Sequence, residues 1–393
     1  MLHLISIGYE VIFCMFAKRT VIFTMILTIA ASTAFAQQAE LNLSCKSALL
    51  MDSATGTILY ENNSHEKLPM ASVTKIMTML LAMEAIDSGK LKYTDVITGS
   101  AYAKSMGGST IFLDEGEQMS TEDILKGIAV ASGNDAAVAM AEHLGGSCDV
   151  FVGMMNKRAQ ELGMKDTHFV NCNGLDADGH YSTAYDIALM SRELLKHPDI
   201  HKFTTIWMDS LRDGKFTLSN TNKLVRFYDG ATGLKTGSTD KALFCISATA
   251  KRNNMHLIAV IMAAPTSKKR QADASQLLNY GFANYQVKNV AEKGSSVKKI
   301  KIDKGIKNKC PLVCADDVSS LSKKGTKENI TLKYKLAKSA EAPVVKGDKA
   351  GELVCMNGKS EVGRTDLLYG ESIRKMSVTY AYGKITDIWL GSK

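Results

Sequence analysis

The sequence predicts an α+β protein, with strands and helices sharing one large domain and a small β-rich domain behind it. Three observations carry this. A hairpin pattern leads into a long apolar helical stretch. Two strand-like runs between Lys235 and Ala264 are closed by an amphipathic helix. The composition then shifts at about residue 288, where lysines crowd and apolar residues alternate. The chain of 393 residues is 45% hydrophobic and 22% charged, ordinary for a globular protein and unlike a disordered one.

Residues 1–36 read as a secretory signal peptide. Lys18 and Arg19 form its basic part, Val21–Ala31 its apolar run, and Ala34-Phe35-Ala36 a small-x-small cleavage site. Met15 is the natural start of such a unit, so residues 1–14 stand upstream of it. The expected location is therefore the cell envelope, periplasmic or otherwise extracytoplasmic.

In the large domain, expected over residues 40–286, Ala48–Asp52 and Thr57–Tyr60 form a hairpin around Asp52–Gly56. Pro69 precedes a buried helix over Ser72–Ile86. Ser120 caps a helix running towards Ala131, with Asp123 reaching back. Helices follow over Asp135–Leu144 and Val150–Leu162, and Thr183 caps one to Leu195. Phe244–Ala248 and Leu257–Ala263 are strands, and Gln271–Tyr285 is the closing helix. In the small domain, expected over 290–379, Val297–Ile302, Ile330–Tyr334 and Met376–Tyr380 read as strands, with lysines on their solvated face. Residues 380–393 carry an apolar face (Tyr380, Tyr382, Ile385, Ile388, Trp389, Leu390) with Lys384 and Lys393 at the water side. That pattern suits a short membrane-associating tail or a last strand with a frayed end.

A net charge of +8 suits an anionic membrane surface or wall polymer. No nucleic-acid motif accompanies it. Of the eight cysteines, only Cys310 and Cys314 are closely spaced, and no zinc-ligand pattern follows them. No metal site or cofactor is expected. Cys148, Cys172 and Cys245 read as small buried hydrophobes.

Three short motifs carry chemistry. Ser72-Val73-Thr74-Lys75 puts a lysine amine one helical turn from a serine hydroxyl. Serine becomes a nucleophile when a base takes its proton, and lysine can be that base only when neutral. That requires a pKa about 3 units below the usual value of about 10.4; burial and a second nearby cation supply such a shift, so the pattern predicts another positive charge in the site. Ser132-Gly133-Asn134 places a hydroxyl and a carboxamide at a tight junction between helices. Lys235-Thr236-Gly237-Ser238 offers the second cation, a carboxylate-binding pair, and a glycine that admits close backbone approach on an edge strand. Each motif alone is as well explained by a helix cap, a solvated lysine or an ordinary turn. The three in this order and spacing are far more specific.

Together they resemble the signature of the penicillin-binding-protein and serine β-lactamase superfamily. Ser132–Ala141, Gly174–Ser182 and Leu234–Lys241 narrow the likeness to low-molecular-mass D-Ala-D-Ala carboxypeptidases. So do Phe151–Asn156 and Lys269-Arg270, placed ahead of the last helix of the domain. The likeness is close over roughly residues 45–285 and holds in outline beyond, best at Ala342–Asp348. It implies an α/β (α+β) transpeptidase-like domain, an antiparallel sheet flanked by helices, followed by a small all-β domain. It implies an acyl-enzyme on Ser72 with Lys75 as general base, and Ser132 and Asn134 in proton transfer and substrate positioning. Lys235 and Thr236 would bind the terminal carboxylate, and the N–H groups of Ser72 and Ser238 would form the oxyanion hole. Gly237 and Arg270 join the substrate-binding set. Ser238 stands where some members carry histidine.

The implied partners are peptidoglycan stem peptides and β-lactam antibiotics, with peripheral membrane contact through the C-terminus. Asp176 and Asp178 read as a structural loop. A D,D-endopeptidase would use the same site. A β-lactamase needs a deacylating glutamate, which Glu193–Lys196 does not supply. A non-catalytic scaffold would show broken motifs.

Overall fold

The structure, a computed structural model, describes residues 41–389. The expected signal peptide, Leu390 and Lys393 lie outside the described residues.

The hairpin pattern becomes β1 (Ser47–Asp52) and β2 (Ile58–Asn62), antiparallel with Leu50 opposite Tyr60. A 3-10 turn, Ala71–Thr74, runs into α1 (Lys75–Asp87). Further helices are α2 (Thr121–Lys126), α3 (Asn134–Gly145), α4 (Cys148–Glu161) and α5 (Ala184–Leu194). Ser120 and Thr183 cap α2 and α5 through side-chain oxygens that accept from Asp123 N–H and Asp186 N–H. After α2 the backbone widens into a π turn, Gly127–Ala131, rather than continuing as α-helix.

Strands β3 (Ala231–Thr239), β4 (Leu243–Arg252) and β5 (Met255–Ala264) complete one antiparallel sheet in the order β2-β1-β5-β4-β3. β5 lies between two strands and is buried on both faces, hence its continuous apolar sequence. Its residues Ile258, Val260 and Met262 face the main core shared with α1 and α5. Helix α6 (Ser267–Asn284) packs on β1 and β5, where a Cβ on Gly281 would sit 2.5 Å from Leu257 and 2.9 Å from Leu50. The helix starts four residues earlier than its apolar pattern suggests. Ser267-Lys268-Lys269-Arg270 is polar, but Thr266 caps it by accepting from Lys269 N–H. Arg270 is thus in the first turn of α6, not ahead of it.

The second region contains β6 (Tyr285–Ala291), β7 (Ser296–Asp303), β8 (Lys309–Cys314), β9 (Val318–Lys323), β10 (Ile330–Leu336), β11 (Ser339–Glu341), β12 (Lys349–Asn357) and β13 (Ser360–Tyr369). Six of them form the sheet β10-β12-β13-β8-β7-β11, and β6 pairs with β9. Alternation along β7 and β8 buries Ile300, Ile302, Cys310, Leu312 and Cys314 and exposes Lys299, Lys301 and Lys309. The expected strand Met376–Tyr380 is not one. Val378–Trp389 forms a helix, α7, its apolar residues recurring at helical spacing. Tyr382, Ile385 and Trp389 are exposed on it.

Candidate active site

The Ser72 turn begins at Ala71, which takes the left-handed conformation at φ 49°, rare for a residue with a side chain. The turn brings Lys75 Nζ within 2.9 Å of Ser72 Oγ. Nζ also donates to Asn134 Oδ1 and to the Asn173 carbonyl, each at 2.6 Å. Lys75 is completely buried, and that burial pulls its pKa down to about 7 against the opposing pull of Cys172 and Asp135. A neutral amine keeps two N–H donors, enough for Asn134 and Asn173. Its lone pair is then left facing the Ser72 hydroxyl.

Ser132 ends the π turn at φ 64°, again left-handed, with Gly133 N–H closing onto the Gly127 carbonyl at 3.0 Å. This break lets α3 start at Asn134. The Asn134 amide is held at both ends, accepting from Lys75 and donating to the Gly107 carbonyl at 2.7 Å. Asp135 accepts from the N–H groups of Ile111 and Leu113, which fixes the segment carrying Ser109.

Strand β3 is the edge of the sheet and runs beside the Ser72 turn. A Cβ on Gly237 would lie 2.7 Å from Ser72 N and 2.9 Å from Val73 N, so only glycine permits this approach. Thr236 Oγ1 donates to Thr221 Oγ1 at 2.7 Å. Lys235 is buried, and Nζ donates to the Thr236 carbonyl at 3.0 Å. Its pKa is pushed well down by burial, then by Lys75 and Arg270. Burial is the largest cause at both lysines, and the repulsion between them is mutual. Arg270 donates to the carbonyls of Gly237 and Cys245 and to Ser267 Oγ, while its Nε is buried without a partner. Burial lowers its pKa to about 10.

Ser72, Ser132, Thr236, Gly237, Ser238 and Arg270 line one cavity of about 130 Å³. Lys75, Asn134 and Lys235 stand behind that lining, joined to it by hydrogen bonds. Ser109, Thr221, Phe244 and Ser267 complete the wall and were not identified from sequence, nor was Asn173. They come from loops and element ends, where isolated polar residues carry no pattern. A larger cavity of about 580 Å³, between the β1–β2 turn and β9 and β13, contains none of the motif residues.

The Asn171–Gly174 turn braces the site. Gly174 has φ 86° and packs so closely that a Cβ would fall 2.0 Å from the Ala71 carbonyl oxygen. His180, in the same loop, accepts from Val170 N–H at Nδ1, so its Nε2–H donates to Thr74 Oγ1 at 2.8 Å. Thr74 in turn donates to the Ala71 carbonyl. Asp176 accepts from Thr239 Oγ1 and the Lys241 N–H at the far end of β3, and Asp178 pairs with Lys241.

The model of the D-alanyl-D-alanine carboxypeptidase family matches residues 33–266. That of the penicillin-binding protein 5 C-terminal domain matches residues 285–375. The chain is 45% identical over 360 residues to the D-alanyl-D-alanine carboxypeptidase DacF of Bacillus subtilis, covering 89% of this chain and 92% of the relative. Penicillin-binding protein 5 of Haemophilus influenzae superposes with a TM-score of 0.69 at 31% identity, over 86% of this chain and 99% of that one. Penicillin-binding protein D2 of Listeria monocytogenes in its ampicillin-bound form gives a TM-score of 0.55 at 33% identity, over 62% of this chain and 99% of that one.

Proposed function

Because the chain belongs to the D-alanyl-D-alanine carboxypeptidase family, we propose that it removes the terminal D-alanine from peptidoglycan pentapeptides through an acyl-enzyme on Ser72. The observation that carries the reading is the buried Lys75 amine 2.9 Å from the Ser72 hydroxyl.

In this reading Lys75 takes the Ser72 proton as Oγ attacks the carbonyl of the penultimate residue. The backbone N–H groups of Ser72 and Ser238 receive the oxyanion. Lys235, Thr236 and Arg270 bind the substrate carboxylate, whose negative charge would favour the protonated form of Lys235. The substrate strand extends beside edge strand β3, with Gly237 keeping the gap narrow and Asn134 holding a peptide carbonyl. Ser132 passes a proton to the departing D-alanine amine. Water then hydrolyses the acyl-enzyme. β-Lactams enter by the same first step and form an adduct that releases slowly. The large domain performs the chemistry. The small β-domain and α7 hold it at the outer face of the cytoplasmic membrane, with the exposed Tyr382, Ile385 and Trp389 in contact with lipid.

Incubation with a fluorescent penicillin tests the reading. A covalent adduct is expected with the native protein and none with Ser72→Ala; an adduct that persists in the variant overturns it. D-alanine release from a pentapeptide, set against cleavage of crosslinked dimers, separates carboxypeptidase from endopeptidase action.

A further inference from the structure

The peptide unit that joins Ala71 to Ser72 has two ends with different duties. Its N–H is one of the two donors assigned above to the oxyanion. Its carbonyl accepts from the Thr74 hydroxyl at 2.8 Å. Two glycines from separate segments close on this same unit. A Cβ on Gly174 would fall 2.0 Å from the Ala71 carbonyl oxygen and 2.9 Å from Ser72 N, and one on Gly237 would fall 2.7 Å from Ser72 N. Packing therefore leaves the Ala71–Ser72 peptide little room to turn, and the bond at its oxygen has a defined origin.

That origin is His180, a buried residue. The Val170 N–H donates to Nδ1 at 2.9 Å, so the ring of a neutral His180 carries its proton on Nε2. Nε2–H donates to Thr74 Oγ1 at 2.8 Å, which leaves the Thr74 proton for the Ala71 carbonyl. Burial holds the ring neutral at neutral pH, with a pKa lowered to about 4. The chain therefore runs one way, from Val170 N–H through His180 and Thr74 to the Ala71 carbonyl. Its last two links are buried, where successive hydrogen bonds polarise one another.

We propose that His180 is a positioning residue of the oxyanion hole: through Thr74 it fixes and polarises the Ala71–Ser72 peptide, and so aims and strengthens the Ser72 N–H. A peptide carbonyl that accepts a stronger hydrogen bond draws electron density from its own nitrogen, and the N–H becomes a better donor. His180 acts at a distance from the reacting atoms, since it does not line the cavity that holds Ser72 and Ser238. This role rests on the acyl-enzyme reading of Ser72 and deepens it.

Three substitutions in the full chain separate this role from simple bracing. His180→Asn can still accept from Val170 N–H but is too short to donate to Thr74. Thr74→Val is nearly isosteric and removes the hydroxyl, which keeps the test independent of any folding failure at His180. His180→Gln puts an amide N–H where Nε2–H stood.

Acylation by fluorescent penicillin is timed for each, and the stretching frequency of the acyl-ester carbonyl is read by infrared difference spectroscopy. One oxyanion donor is worth roughly 10²–10³-fold in rate, and a neighbouring bond strengthens a donor by about 10–30%. His180→Asn and Thr74→Val should therefore each slow acylation roughly fivefold. The losses should not add in the double variant, because both break one chain. The ester carbonyl should move to higher frequency in both, as a weaker oxyanion hole polarises it less. His180→Gln should recover rate and frequency together. A slowed variant whose carbonyl keeps the native frequency would assign His180 to holding the turn alone and overturn the proposal. So would native rates in His180→Asn or Thr74→Val, additive losses, or a His180→Gln no faster than His180→Asn. A native protein that forms no adduct on Ser72 removes the acyl-enzyme reading and this role together; an adduct that forms identically in all variants removes only the role.

Discussion

Lys75 and Lys235 are completely buried in the cleft and hydrogen-bond to neutral oxygens, whereas Lys301, Lys304 and Lys307 stand at the surface of the β-region, each paired with an aspartate or glutamate. The bulk charges differ too. Residues 41–284 hold 24 basic and 26 acidic side chains, a net of −2, while residues 285–375 hold 20 and 11, a net of +9. The protein's positive charge is therefore a property of the β-region, and the three motifs lie in the nearly neutral one. Burial is what changes a lysine's chemistry. A solvated lysine in a carboxylate pair stays protonated and adds little to stability. A buried one is driven towards the neutral form, at the cost of needing every N–H placed.

The sharpest break of this comparison is Lys75→Arg. Arginine keeps the charge but cannot be a neutral base, so acylation by fluorescent penicillin should fall by roughly 10²–10⁴-fold. Near-native labelling would remove Lys75 from the base role.

Next comes the brace beneath it. Gly174→Ala would force a Cβ to 2.0 Å from the Ala71 carbonyl at a positive φ. A loss of about 3 kcal/mol in chemical unfolding is expected, together with slower acylation. A variant as stable and as fast as the native protein would mean that the turn does not hold the Ser72 segment.

A third effect comes from His180, whose pKa burial lowers to about 4 from 6.5. The folded state keeps it neutral. Below 6.5 the unfolded chain takes up a proton that the folded chain refuses until about pH 4. Stability is therefore complete above 6.5, is lost as pH falls, and the loss is full near 4, about 3 kcal/mol for this group. His256, also lowered to about 4 by burial, acts in the same direction. Unfolding curves across this interval should flatten in His180→Asn relative to the native protein; identical slopes would contradict the assignment. The smallest effect belongs to the β-region. Lys304→Ala breaks an exposed pair with Glu341 and should leave both melting temperature and acylation unchanged. A marked drop in either would show that surface pairing there is not interchangeable.

The site was legible to the extent that its chemistry is confined to short local motifs. Ser72 and Lys75 are one turn apart, so helix geometry alone predicts their contact. The meeting of Ser72, Ser132 and Lys235 rested on resemblance, because no local rule brings the 3-10 turn before α1, the π turn and an edge strand together. Asn173 acts through its carbonyl, which every residue has, and so left no signal. Ser109 and Thr221 are single hydroxyls in loops. The alternation that revealed β7 works because one face of its sheet is buried. The same reasoning misassigned Met376–Tyr380, where aromatic and β-branched residues favoured a strand but the chain turns into a helix at Val378. The start of α6 was hidden by its lysines, although Thr266 three residues before Lys269 is a usable cap signal.

The central claim is that burial makes Lys75 the base at neutral pH. Rapid-mixing measurement of the Ser72 acylation rate against pH tests it most directly. The rate should rise with pH through one titration centred near 7, as Lys75 loses its proton. A midpoint near 10, where a solvated lysine titrates, or a flat profile across neutral pH, would contradict it.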